Sequence, residues 1–428
     1  MPSPSVSEII SCLSGYDPDA LTVEQAQQIV RQCVAPVDSV ERLALRTALG
    51  RVLAEDIISP INVPAQDNSA MDGYAVRAVD LLGEGPVDLR VVGHTHAGMV
   101  HESAVKAGEC VRIMTGAPMP EGCDTVVPQE FVLTVTETTV TMPAAVAKVG
   151  DNRRLQGEDL REGTPALLKG RILRPADLGL IASLGIAEVP VRRRLRVAFF
   201  STGNELRSLG EPLDPGCVYD SNRYTLYGML QRLGCDILDM GVVRDDEAAL
   251  EAALRSACEN ADVVVTSGGV SVGEADYTKQ VMARLGDVKF WKIAMRPGRP
   301  MAFGRIASNG KAAWLFGLPG NPVAVMVTFY FFARVALLRM MGAQSDQLPV
   351  LRAASQSDIR KKPGRTEYQR GILSQDSSGV PQVRITGAQG SGILRSMSEA
   401  NCIVILSHQQ DSVKAGDAVD VLALEGLI

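Results

Sequence analysis

The chain has 428 residues, with 43 Lys and Arg against 49 Asp and Glu, and a formal charge of −6. At roughly 150 residues per domain that length predicts about three domains, and a composition of 46% hydrophobic and 21% charged residues excludes a disordered chain. The acidic balance excludes a general nucleic-acid binder but not an anionic substrate, because local charge decides that.

The first 20 residues carry neither a basic n-region nor a long apolar core, so no secretory signal is expected. Thr22 and Gln25 have capping-box spacing, and Val23, Ala26, Val30 and Val34 follow near helical period, which predicts a helix. From about 51 to 194, short β-type runs at 87–92, 110–113, 125–127 and 132–141 alternate with Gly/Pro turns. A helix is expected at 176–184, stopped by Gly185.

At Leu195 the pattern changes. Strands are predicted at 197–200, 236–243, 263–266, 289–293, 301–303 and 313–316. They are interleaved with helices at 222–233, 245–259 and 278–285, with Gly234 and Gly286 read as stops, and a long helix at 322–341. Apolar strands alternating with helices predict a doubly wound, mostly parallel α/β domain. The most apolar stretch, 322–338, is broken by Arg334 and falls short of a clean membrane span, so it reads as a buried helix and no membrane is expected. After Gly342 short strands at 383–386, 402–406 and 418–422 predict a small β-barrel or sandwich. The fold class is thus multidomain α/β. A split N-terminal unit (1–60 and 160–194) surrounds a β-rich lid (61–159), followed by the α/β unit (195–342) and a C-terminal β unit (343–428).

In open parallel sheets, ligands bind beyond the carboxyl ends of the strands. The residues there are Ser201-Thr-Gly-Asn-Glu205, Arg244-Asp-Asp246, Thr266-Ser-Gly-Gly-Val-Ser-Val-Gly273 and Gly317-Leu-Pro-Gly-Asn-Pro322. Three of the four are glycine-containing loops that expose backbone N–H groups, and two lead towards helix N-termini, so this edge reads as an oxyanion site. Ser267, Gly268, Gly269, Ser271, Gly320 and Asn321 are its candidate contacts. Neither the P-loop nor the G-x-G-x-x-G pattern is present, which disfavours P-loop ATP binding and NAD binding. Carboxylates share these loops: Glu205, Asp245, Asp246, Glu274 and Asp276. One or two of these would hold Mg²⁺ shared with a phosphate substrate; Asp245 and Asp246 can also be read as helix-start residues complementing the dipole, which suffices for Asp246 and explains Asp276 less well. Lys292, Arg296 and Arg299 gather in a Pro/Gly-stiffened turn and are candidates for clamping an anion.

Three further stretches join polar residues to glycines outside that domain: Asp67-Asn-Ser-Ala-Met-Asp-Gly-Tyr-Ala75, Arg112-Ile-Met-Thr-Gly-Ala-Pro118 and Gln156-Gly-Glu-Asp159. They fit a lid or second wall. His94, His96 and His101 match no standard zinc spacing. The eight cysteines form no C-x-x-C pair, and are expected to be reduced, mostly buried thiols in a cytoplasmic protein.

These motifs, with Ser267-Gly-Gly-Val-Ser-Val-Gly-Glu-Ala-Asp-Tyr277 and Gly317-Leu-Pro-Gly-Asn-Pro322, closely resemble the molybdopterin molybdenumtransferase family, the bacterial MoeA proteins and the matching C-terminal domain of gephyrin. The resemblance runs from about Arg51 to the C-terminus. It implies Mg²⁺-dependent insertion of molybdate into adenylylated molybdopterin, with release of AMP. It also implies a homodimer in which the α/β domain of one subunit faces the N-terminal domains of the other. Handovers from an upstream adenylyltransferase and to downstream molybdoenzyme chaperones belong to the same picture. Carried over residue by residue, it assigns Asp72, Thr115 and Asp159 to the N-terminal wall. On the α/β side it assigns Glu205, Asp245, Asp276, Lys292, Arg296, Pro319 and Pro322, and in the C-terminal domain Arg370 and Ser391. Arg296 and Arg299 stand where Lys is frequent in the family, and Asn204 where Asp is common; 64–67 also departs from the family pattern. The alternatives are the related adenylyltransferase, which lacks the flanking domains, and an idle scaffold.

Overall fold

The computed structural model describes residues 5–11, 16–269, 276–345 and 347–424, and the side chains of Asp276 and Tyr277 are outside that description. Among the described residues, the centre is a six-stranded sheet. Its order is Asp236–Val243, Arg196–Thr202, Val263–Ser267, Lys311–Leu318, Pro300–Ser308 and Gly286–Lys292. The first four strands run parallel and the last two are added antiparallel. Val263–Ser267 is buried along its whole length, which is why it reads as a continuous apolar run rather than an alternation. Helix Ser221–Arg232 covers one face through Leu226, Met229 and Leu230, and helix Glu247–Asn260 covers the other through Leu250, Leu254 and Ala257. The chain therefore winds outward from Arg196–Thr202 in one direction, then returns to its other side. The switch point falls between Arg196–Thr202 and Val263–Ser267.

Gly286 does not stop a helix in the left-handed conformation. It opens the strand Gly286–Lys292, and a Cβ there would lie 2.0 Å from the Arg305 carbonyl oxygen. Close strand approach, not helix termination, is what requires glycine at 286. The predicted long helix forms as Pro322–Thr328, a π turn Phe329–Ala333 and Arg334–Met340. Among the described residues it is the one helix long and apolar enough to cross a membrane, yet 89% of its most apolar stretch is buried inside the protein.

Helix Val23–Cys33 begins at the expected capping box. The Thr22 side chain accepts from the Gln25 N–H at 3.2 Å, and the Gln25 side chain accepts from the Thr22 N–H at 3.0 Å. Its apolar face joins the core beneath the long helix, and Gln27 Nε2 donates to the Phe331 carbonyl at 2.9 Å. Thr22→Ala removes the first of these capping bonds and leaves the second, so unfolding free energy should fall by about 1 kcal/mol in denaturant titration. An unchanged midpoint would show that burial alone holds this helix.

Strand Val40–Ala44 pairs antiparallel with Glu188–Arg192, and Ile57–Ile58 with Pro165–Leu167, so the chain leaves this unit and returns to it. Between them lies a second sheet ordered Thr125–Pro128, Gly73–Val76, Glu109–Ile113, Val87–Thr95, Thr139–Met142 and Thr134–Val135. The run at 132–141 is a hairpin rather than one strand. Thr136 Oγ1 accepts from the N–H groups of Thr138 and Thr139, which turns the chain locally before β pairing resumes.

In the C-terminal region, Thr366–Gln375, Pro381–Ile385, Leu351–Ser355, Ala418–Ala423 and Cys402–Leu406 pair in that order, and the last closes on the first. The result is a closed five-strand barrel, which removes sheet edges. Met295–Arg296 of the central region adds to it alongside Thr366 and Glu367.

Candidate functional site

A cavity of about 610 Å³ opens at the carboxyl edge of the central sheet, at the switch point. Its walls come from six stretches of chain: Thr202–Leu206, Val218–Asn222, Asp245, Ser267–Gly269, Gly320–Pro322 and Gly392. Gly268 has φ +91°, and a Cβ there would lie 2.4 Å from the Thr202 carbonyl oxygen. The two central strand ends can therefore meet only through a residue without a side chain.

Behind this turn is an oriented hydrogen-bond web. Asn222 Nδ2 donates to Ser267 Oγ at 2.8 Å and to the Gly320 carbonyl at 2.6 Å, while Ser267 Oγ donates to the Pro319 carbonyl at 3.4 Å. Two acceptors thus fix the Asn222 amide, and its Oδ1 is left buried without a donor. Asp220 caps helix Ser221–Arg232: its Oδ1 accepts from the Arg223 N–H at 3.1 Å and from Ser201 Oγ at 3.0 Å. Its other oxygen is buried with no partner, and burial pushes its carboxyl above the usual range despite those hydrogen bonds.

The sequence-predicted residues divide into three groups. Glu205, Asp245, Ser267, Gly268, Gly269, Gly320, Asn321 and Pro322 all line the cavity. Asp245 is tethered by Thr202 Oγ1 at 3.4 Å, and its N–H donates to Asn204 Oδ1 at 3.3 Å. Pro319 lies beneath them, buried, contributing its carbonyl to the web. Ser271 is outside the described residues, and Asp276 begins helix Asp276–Leu285 with its side chain outside the description.

Three basic candidates lie elsewhere. Lys292 Nζ pairs with Asp19 at 2.6 Å, and that hydrogen bond and charge hold the Asp19 carboxyl below its ordinary value. Arg296 and Arg299 are exposed, with Arg296 at the seam with the barrel. Among the described residues no Lys or Arg lines the cavity. Arg370 is 1% exposed, and its guanidinium donates to the carbonyls of Ala388, Gln389 and Gly390 and to Ser396 Oγ. Burial, then the nearby Arg296 charge, lowers its pKa to about 10. This arginine shapes the 387–392 loop, whose Ser391 carbonyl accepts from the Val323 N–H at 3.0 Å and so seats Gly392 on the cavity.

The three N-terminal motifs come together as one wall. Asp72 Oδ1 accepts from both the N–H and Oγ1 of Thr115, each at 2.7 Å, and these bonds hold its exposed carboxyl below the usual range. Asp67 forms an ion pair with Arg153 and accepts from the Gln156 N–H at 2.7 Å. Asn68–Ser69 pairs with Arg153–Arg154, and the Asp159 N–H donates to the Val63 carbonyl. Yet Asp72, Thr115 and Asp159 do not line the cavity of their own chain.

Sequence reasoning missed Asp220, Asn222 and Tyr219 because it looked only at residues directly following strands. The chain comes back to the same edge at Val218–Asn222, where a helix starts at Ser221, and Asp-Ser-Asn at a helix start is the available signal.

Glu205 and Asp245 supply hard oxygen donors on one cavity, which fits Mg²⁺ shared with substrate phosphates. No group of three or more His, Cys, Asp or Glu forms a closed metal cage among the described residues.

Comparison with known proteins agrees with this architecture. Residues 21–185 match the family described as "MoeA N-terminal region (domain I and II)", residues 198–339 that described as "Probable molybdopterin binding domain", and residues 352–424 that described as "MoeA C-terminal region (domain IV)". The chain is 43% identical to the molybdopterin molybdenumtransferase of Haemophilus influenzae over 403 residues, covering 94% of this chain and 98% of that protein. It is 35% identical to the one from Nostoc over 411 residues, covering 94% of each. The crystal structure of the molybdopterin biosynthesis moeA protein of Pyrococcus horikoshii superposes with a TM-score of 0.80 at 29% identity, covering 94% of this chain and 99% of that one. Identity and coverage at this level, over the same succession of domains, make the chain a member of the molybdopterin molybdenumtransferase family, enzymes of molybdenum cofactor biosynthesis.

Proposed function

We propose that this enzyme inserts molybdate into adenylylated molybdopterin, releasing AMP and yielding molybdenum cofactor, with Mg²⁺ as its metal. We further propose that it works as a cytoplasmic homodimer. The single observation that carries the reading is the cavity at the switch point, where Glu205 and Asp245 meet a glycine turn beside a helix N-terminus. The expected substrate is a pterin joined to AMP through phosphates, and such an edge suits phosphate oxygens. Glu205 and Asp245 would hold Mg²⁺, with Asp276 at the start of the next helix as a third candidate; the ion would offset charge developing on the cleaved phosphate link.

The remaining steps belong to the chain's own groups. Backbone N–H groups and the fixed web around Ser267 and Asn222 orient the ligand, while the Asp72–Thr115 pair presents a second polar wall. That wall does not reach the cavity of its own chain, which supports a site completed by a second copy. The described cysteines do not line the cavity, and burial pushes Cys33, Cys110, Cys123 and Cys235 up to about 12. This supports capture of molybdenum by the dithiolene sulfurs of the pterin rather than by a protein thiol.

The test is AMP release from adenylylated molybdopterin by the purified protein, with molybdate and Mg²⁺ varied independently. Release should require both. Release that ignores molybdate, or consumption of ATP with free molybdopterin, would instead favour the adenylyltransferase reading.

A further inference from the structure

One lip of the cavity is apolar although the rest of its wall is polar. Strands Leu206–Arg207 and Val218–Tyr219 pair into a short parallel ribbon, and Leu206, Val218 and Tyr219 line the cavity from it. Val218 is 52% exposed and Tyr219 42% exposed, so two large apolar side chains stay open to solvent beside a cleft. Apolar surface on the lip of a polar cleft is a recurrent form of ligand contact. Among the described residues Tyr219 is the one aromatic that lines the cavity. Its position is fixed at both ends. The hydroxyl donates to the Glu211 carbonyl at 3.1 Å, and the next residue's N–H, on Asp220, donates to the Arg207 carbonyl at 3.0 Å. A ring held in this way costs little further order when a second ring is laid on it.

The opposite chemistry is close by in sequence. Asp220 Oδ2 and Asn222 Oδ1 accept from no described donor, and both residues are at least nine-tenths buried while lining the same cavity. Buried acceptors without donors are costly unless something brings an N–H or O–H to them. Neither oxygen is open to the cavity, so they mark a tightly packed rim, and a planar heterocycle meets this cavity through the face laid on Tyr219.

We propose that Tyr219 is the stacking platform for the planar bicyclic ring of the substrate. The inference rests on the reading of this cavity as the site of a pterin–adenylate. Pterin and adenine both carry an amino group on a fused ring, so the chemistry is shared and the experiment separates the two sources.

Equilibrium binding of neopterin, AMP and ribose 5-phosphate is measured by calorimetry on the full chain, as wild type, Tyr219→Phe and Tyr219→Ala. Tyr219→Ala should weaken a ring-bearing probe by about five- to 150-fold, while Tyr219→Phe stays within about twofold. Ribose 5-phosphate carries the sugar and phosphate of AMP without the ring, and its binding should not change. Loss confined to neopterin places pterin on the platform, and loss confined to AMP places adenine there. Equal ring binding by Tyr219→Ala and wild type overturns the platform and leaves the proposed reaction standing. A parallel loss of ribose 5-phosphate also overturns it, since that reports collapse of the ribbon. Wild-type protein that binds neither ring removes the cavity as the substrate site and overturns the underlying reading.

Discussion

Asp245→Asn is expected to fold normally, to keep its ligand affinity and to lower molybdate-dependent AMP release by about 10²- to 10³-fold. The substitution conserves shape, and an amide oxygen can still accept the 3.4 Å contact from Thr202 Oγ1, so the loop keeps its tether. What it removes is a negative charge on the cavity wall, facing the place where a metal and a phosphate link would share oxygen ligands. Uniform binding contacts are untouched, so the loss should appear in turnover rather than in ligand affinity. Release of AMP at the wild-type rate by this variant would remove Asp245 from the metal and reaction site. Glu205→Gln provides the companion measurement, because Glu205 lines the same cavity.

Gly268→Ala should be the most damaging small substitution near the site, and Gly269→Ala should serve as its control. At 268 the backbone is left-handed and the new methyl would meet a carbonyl oxygen at 2.4 Å, so one of the two central strand ends must move. Backbone strain and overpacking together put the cost on the order of 3 kcal/mol. At 269 the nearest atom is the Thr202 Cγ2 methyl at 3.0 Å, a side-chain group that can give way, leaving mainly the left-handed backbone cost of about 1–2 kcal/mol. Thermal unfolding of both variants decides the matter. Equal destabilisation would mean that backbone conformation, not the close approach to Thr202, sets the requirement for glycine.

Much of the central domain was legible because its signals are local. Strand Asp236–Val243 forms over the span its apolar pattern predicts, and the Thr22–Gln25 capping box forms as its spacing implies. Two readings differ from the structure, one because of a distant partner and one because of a local side-chain turn. The helix does end at Leu285 as expected, but what requires glycine at 286 is the Arg305 carbonyl opposite it. Residues 132–141 look like one strand because threonines favour strands, although Thr136 turns the chain with its own hydroxyl.

The candidate site shows the same division. Glycine loops and carboxylates after strands point to the cavity because a parallel sheet places every such loop on one edge. The gathering of Lys292, Arg296 and Arg299 along the sequence gave no measure of distance from that edge. In the fold Lys292 is paired with Asp19, a residue more than 270 positions earlier. Asp220 and Asn222 are not marked by the strand-end pattern because the chain comes back to that edge only at the start of the following helix.

By itself, then, the sequence determined the alternation of strands and helices, the glycine turn at the sheet edge and the carboxylates around it. Each of these depends on residues within a few positions of one another. Only the tertiary structure decided which charges face the cavity, why Gly268 must lack a side chain, and that Arg370 braces the 387–392 loop against the Pro322–Met340 helix. Those outcomes depend on contacts between segments far apart in the chain, and the free energy of such contacts is set by burial and approach distance, which no local pattern records.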